Sequence, residues 1–167
     1  GDEPSGADLA TSAPCSSAAV ALRAIFKTIG ADVADDVAPT EPLRHVAESD
    51  CLLLVQSGHV LRRPHVLLEL LEAARCGVPV VCVLVRGRGY DFAAAIEWLS
   101  DLRKSFACHV DGAKQQLEAI EAYLSIYGWD MPRAQLVLLD NVTDTISIEY
   151  DPAGSGHHVQ ALVLDIV

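Results

Sequence analysis

Two apolar runs constrain this chain more than any other feature. Cys51-Leu52-Leu53-Leu54-Val55 and Val78-Pro79-Val80-Val81-Cys82-Val83-Leu84-Val85 contain no charged or hydrogen-bonding polar side chain. A strand with one face in water alternates apolar and polar residues. An unbroken run belongs to a strand covered on both faces, as in parallel sheets. Between the runs, Leu67, Leu70, Leu71 and Ala74 recur at helical spacing. Pro64 suits the first turn of that helix and Gly77 its C-terminal cap. Strand, helix and strand in sequence form a βαβ unit, whose crossover is right-handed.

The rest of the chain extends the pattern. Residues 1–15 read as a flexible lead-in and residues 16–167 as one α/β domain. Leu22, Ile25, Phe26 and Ile29 mark a helix, and Ala31–Ala34 a short strand. Asp35–Pro42 reads as a loop by its acids and prolines, followed by a short helix over Leu43–Glu48. Asp91 is placed to cap a helix bearing Ala95, Trp98, Leu99, Leu102 and Phe106 on one face. A helix over Ala113–Tyr127 follows. Another starts at Asp130-Met131-Pro132 and turns Leu136, Leu139 and Val142 inward. Thr145–Tyr150 alternates as a strand, and Gly156–Ile166 closes the chain as a helix. This order predicts a three-layer αβα, flavodoxin-like α/β domain with a mostly parallel sheet. Such sheets bind ligands beyond the carboxyl ends of their strands. Asp35–Pro42, Gln56–Arg63 and Arg86–Asp91 therefore form the expected functional rim.

Composition narrows the function. With 51% hydrophobic residues, the 167-residue chain is not a disordered segment. Its net charge of −11 argues against a duplex-DNA binder. Arg62-Arg63, Arg86/Arg88 and Arg103-Lys104 are too small as clusters for a nucleic-acid groove. No apolar stretch approaches the roughly 18–20 residues of a membrane span, so neither nucleic acid nor membrane is an expected partner. The five cysteines are odd in number, widely spaced and without C-x-x-C. That pattern predicts no zinc site and no disulfide framework, and it fits the reducing cytoplasm. Cys51 and Cys82 read as small core residues. No P-loop, no dinucleotide-binding glycine pattern and no nucleophile elbow occurs. Asp35-Asp36 resembles the acidic pair of phospho-receiver domains, but Ser57 and Arg86 stand where those need an aspartate and a lysine.

One cluster points to chemistry. His65, Glu69, Glu72 and Cys76 lie at i, i+4, i+7 and i+11, opposite the leucine stripe. The plain reading is a solvated helix face with a favourable His65–Glu69 pair. The sharper reading points Glu69 at the rim, as a carboxylate that binds ribose hydroxyls or stabilises an oxocarbenium-like centre. Metal ligation lacks an evident third ligand.

The stretch from Ser49-Asp50 through Val55-Gln56-Ser57-Gly58-His59 to Glu69-Leu70 resembles the central part of a TIR (Toll/interleukin-1 receptor-like) domain. Gly77–Val85 is similar to the strand that follows in that family. Val33–Pro42 is similar to the preceding strand and its BB loop. Tyr90-Asp91-Phe92 and Asp151–Ser155 resemble TIR-like domains of protist and algal type. The resemblance implies a flavodoxin-like sheet, assembly through TIR–TIR contacts and, in some members, cleavage of NAD at the nicotinamide–ribose bond. Glu69 would then be the catalytic carboxylate. Ser57, His65 and Arg86 would be substrate-binding residues, and Asp35, Asp36, Pro39 and Pro42 an interaction loop. NAD enters as a substrate only, and no cofactor is expected.

Three departures weigh on catalysis. His65 stands where the family has an aromatic residue, Val66 where it has Cys, and the loop lacks a frequent glycine. In addition, nothing before Ser16 reads as the interior first strand, so an upstream segment or a partner is expected to supply it. The reading that results is a non-catalytic, TIR-like interaction or scaffold module acting in signalling or a larger assembly. Its alternative is an NAD glycohydrolase using Glu69. A third reading is a nucleotide sensor holding phosphate through Arg86 or Arg88.

Overall fold

A computed structural model describes residues 41–143 and 145–153. The elements run α1 (Glu41–Ala47), β1 (Leu52–Gln56), a 3-10 turn (Val60–Arg62), α2 (Pro64–Cys76), β2 (Val80–Val85), α3 (Phe92–Ser100), α4 (Leu102–His109), α5 (Ala113–Ile126), α6 (Met131–Thr143) and β3 (Ile148–Tyr150). The sequence expectations for the lead-in, the helix around Leu22–Ile29, the strand Ala31–Ala34 and the helix Gly156–Ile166 lie outside the described residues.

The two apolar runs pair as expected. β1 and β2 are parallel, with Leu52 opposite Val80, Leu54 opposite Cys82 and Gln56 opposite Leu84. β3 adds to β2, also in parallel, giving the order β1-β2-β3. Strands and helices alternate around an all-parallel sheet, which is the α/β three-layer class. The crossover helix α2 begins with Pro64 at its N-terminus and ends at Gly77, whose φ of 71° is the left-handed conformation that glycine adopts at least cost. The chain then turns straight into β2. Val78 N–H donates to Ala73 O at 2.8 Å, and Leu52 N–H donates to Pro79 O at 2.9 Å.

Leu54 and Cys82 join Leu67, Leu70 and Leu71 of α2 in one buried cluster. That cluster continues through Trp98, Leu99, Leu102 and Phe106 to Ile120, Leu124, Leu138 and Val142. α2 packs on α1, α5 and α6, and α6 also packs on α3 and β2.

The structure changes five details of the sequence reading. Among the described residues, β1 is covered on one face and has a neighbour on one side alone, and Leu53 and Val55 are 47% and 46% exposed. Cys51 precedes the strand and is exposed, whereas Cys82 is buried; Cys51, Cys76, Cys82 and Cys108 are all free thiols. The helix expected from Asp91 onward is two helices, because Asp101 ends α3 and caps α4, its Oδ1 accepting from Lys104 N–H at 3.1 Å. In α6 the inward residues are Met131, Ala134, Leu138 and Val142, while Leu136 is 63% exposed. At 100° per residue, a stripe set by Ala134 and Leu138 carries Leu136 to the far side. Finally, Pro42 stands in the first turn of α1 rather than in a loop, where its fixed φ and missing N–H cost nothing.

Leu71→Ala should lower stability by about 2–5 kcal/mol in urea unfolding, since Leu71 has no exposed surface. Leu136→Ala should change it by less than about 0.5 kcal/mol. Equal losses would contradict the inward faces assigned to α2 and α6.

Candidate functional site

The loops after β1 and β2 meet at the carboxyl end of the sheet. Gly58 N–H donates to Arg88 O at 2.7 Å. A Cβ on Gly58 would stand 3.2 Å from the carbonyl oxygens of both Arg88 and Gly89, so glycine permits this close approach. His59 follows with φ 68° and ψ 8°, the only non-glycine residue at positive φ among those described. Asp91 Oδ1 accepts from Ala94 N–H at 3.0 Å and starts α3 at the same rim. Between the loops lies a hollow of about 120 Å3, whose walls include Ser57, His59, Arg62, Tyr90, Asp91 and Trp98.

Two buried polar groups stand at the strand ends. Gln56 ends β1 with no exposed surface. Its amide and the Tyr90 hydroxyl are close to each other, yet neither reaches a partner in hydrogen-bond geometry. Burial, followed by the nearby Cys82 thiol, pushes the Tyr90 hydroxyl up to about 12. The Arg62 guanidinium lies 5.1 Å from the centroid of the Trp98 ring, which also stacks at a tilt against Phe106.

The candidate residues do not converge. Ser57 lines the hollow. Arg86, at the end of β2, is held by β3 instead: it contacts Glu149 Oε1 at 2.8 Å and Asp151 Oδ2 at 3.3 Å. His65 is half-buried in the first turn of α2. Its pKa is lowered by burial and then by the charge of Arg63. Glu69 lies one turn further on, in a separate depression of about 150 Å3 with Leu52, Leu53, Val55, Val60 and Val66 around it. Burial raises the pKa of its carboxyl. Of the interaction loop, Asp35, Asp36 and Pro39 lie outside the described residues.

The reading of α2's second face as solvated fails at Glu72, which is 3% exposed. Its carboxylate accepts from Arg75 Nε at 2.8 Å, from Arg75 Nη2 at 2.6 Å and from the Tyr123 hydroxyl at 2.7 Å. The Arg75 guanidinium in turn lies 4.4 Å from the Tyr127 ring centroid. Packing of α5 on α2 covers this part of the helix, and the bidentate arginine and the phenol compensate the buried charge. Glu72 is a structural tie between α2 and α5.

His59, Arg62, Tyr90 and Trp98 were not among the candidate site residues of the sequence. Their signal was positional, since all but Trp98 sit in the two rim segments. Trp98 arrives from α3 only because Asp91 starts that helix at the rim. Among the described residues, no three His, Cys, Asp or Glu side chains are placed to hold a metal, and no helix is long and apolar enough to cross a membrane. Compared with family models, curated proteins and solved structures, the chain matches none.

Two outcomes follow. Glu72→Ala strands the Tyr123 hydroxyl and should cost about 2–3 kcal/mol of stability in chemical denaturation. Glu69→Gln should act in the opposite direction. A carboxyl with a raised folded-state pKa makes the native protein lose stability as pH rises from the unfolded value through the folded one. The Gln variant should therefore be more stable than the parent at neutral pH and match it at acidic pH where Glu69 is protonated in both states. Thermal melts across that window check the sign.

Proposed function

We propose that this chain is a TIR-like protein interaction module that binds protein partners or a second copy of itself, in the cytoplasm and within signalling or a larger assembly, without turning over a substrate. The observation that carries the reading is the separation of the candidate catalytic residue, Glu69, from the candidate substrate-binding residues. Ser57 faces the rim hollow, Arg86 is committed to Glu149 and Asp151, and Glu69 stands among leucines and valines. General acid–base or nucleophilic chemistry needs such groups within hydrogen-bond reach of one reacting centre. The half-exposed Leu53 and Val55 beside Glu69 support association, since they form an apolar face on a strand that, among the described residues, is paired on one side alone.

A second reading is an NAD-cleaving enzyme using Glu69. It is favoured by the depression beside that carboxylate, whose described lining residues include no cation. The two readings separate in one set of experiments. Purified protein at high concentration should release no nicotinamide from NAD, and Leu53→Lys should shift its sedimentation profile toward monomer. Release of nicotinamide that is abolished in Glu69→Ala but retained in Glu118→Ala would replace the module with the enzyme. Glu72→Ala is unsuitable as that control because the side chain ties α2 to α5. An unchanged sedimentation profile in Leu53→Lys would remove the β1 edge as the contact surface.

A further inference from the structure

We propose that a second copy of this chain adds its β1 strand to the open edge of β1, antiparallel and about a two-fold axis at Leu54, so that the two sheets join into one. The proposal rests on the module reading and names the partner and the contact.

The main chain of β1 points to such an addition. Leu52 N–H donates to Pro79 O, so Leu52 and, one pleat further, Leu54 turn their peptide groups toward β2. Successive residues of a strand turn theirs to opposite sides, so the N–H and C=O groups of Leu53 and Val55 face the other edge. Among the described residues, β1 pairs with β2 alone. Leu52, Leu53, Leu54 and Val55 all line the depression of about 150 Å3 that holds Glu69, so it follows the strand's length and not one face of it. No residue of Leu52–Gln56 is charged or a proline, and each can both donate and accept in a ladder.

Register and charge select a second copy in the antiparallel sense. With the axis at Leu54, Leu53 of each copy exchanges both of its hydrogen bonds with Val55 of the other, which satisfies the outward groups of both residues in both copies. Leu54 meets its own counterpart as a close, non-hydrogen-bonded pair on the side of the buried cluster. Leu53 and Val55 of the two copies gather on the opposite face, where each is about half exposed in the single chain.

The flanks agree. Arg44 and Glu48 of α1 offset one another at 3.9 Å, which leaves the exposed Asp50 as the charge at the amino end of β1. From Cys51 through Leu68 the sequence holds no acid, and His59, Arg62 and Arg63 follow the carboxyl end. Antiparallel pairing sets the acidic end of one copy against the basic end of the other, whereas parallel pairing would oppose like ends. Each copy also brings Glu69 toward the seam, and that repulsion, with the short five-residue strand, makes the dimer a weak, concentration-dependent one.

Amide hydrogen exchange of the full chain, read residue by residue at rising concentration beside sedimentation, tests the pairing. Leu54 should be protected throughout by β2, whereas Leu53 and Val55 should gain at least about tenfold protection as dimer forms. Asp50→Lys and Arg63→Glu, both at exposed sites, should each weaken dimerisation about fivefold, and the double variant should recover most of the loss. A dimer in which Leu53 and Val55 exchange as in the monomer, or a double variant as weak as its two changes added together, would overturn the proposal and leave the module reading to another surface. Full protection of both amides in the dilute monomer would overturn it by showing that the chain closes its own edge. No association at any concentration would also overturn it, leaving the module reading to a different protein as partner. Nicotinamide release dependent on Glu69, by contrast, is the result that removes the module reading itself.

Discussion

The parallel pairing of β1 with β2 is the constraint on which the rest of the molecule depends. Both strands end on the same side of the sheet because the crossover helix α2 returns the chain before the second strand begins. That connection sends the β1–α2 and β2–α3 loops to one rim. The Gly58–Arg88 backbone bond then brings them into contact. If Leu54 and Cys82 were not register partners in the same buried cluster, neither the hollow nor the Arg62–Trp98 stack would form.

α2 shows how one helix meets three environments. Leu67, Leu70 and Leu71 enter the core. Glu72 is equally enclosed, but by α5, and its two oxygens accept hydrogen bonds from Arg75 and Tyr123. Glu69, one turn earlier, has no such ties among the described residues, and burial raises the pKa of its carboxyl. Two glutamates three residues apart thus differ in role. One is a tie with its hydrogen bonds made, and the other is a partly desolvated acid beside an exposed strand edge.

The rim follows the same logic with opposite charge. Arg86 is spent on Glu149 and Asp151, which anchor the end of β3 to the end of β2. Arg62 instead lies over the Trp98 ring.

The two apolar runs, Pro64, Gly77 and Asp91 were sufficient to read β1, α2, β2 and the start of α3, because each feature acts over a few residues of its own neighbourhood. They also located the rim, since strand ends follow from strand limits. Tertiary structure alone decided which polar residues of α2 meet water, that Asp101 divides a continuous helical pattern, and that Arg86 faces β3 instead of a ligand. Periodicity assigns a residue to a side of its own helix. Whether that side is covered depends on α5 and β3, which arrive from some 50 or 60 positions away, as the Glu72–Tyr123 and Arg86–Glu149 contacts show. Local sequence carries no record of such distant neighbours, and the burial of a charge or the partner of an arginine is settled only when the chain closes on itself.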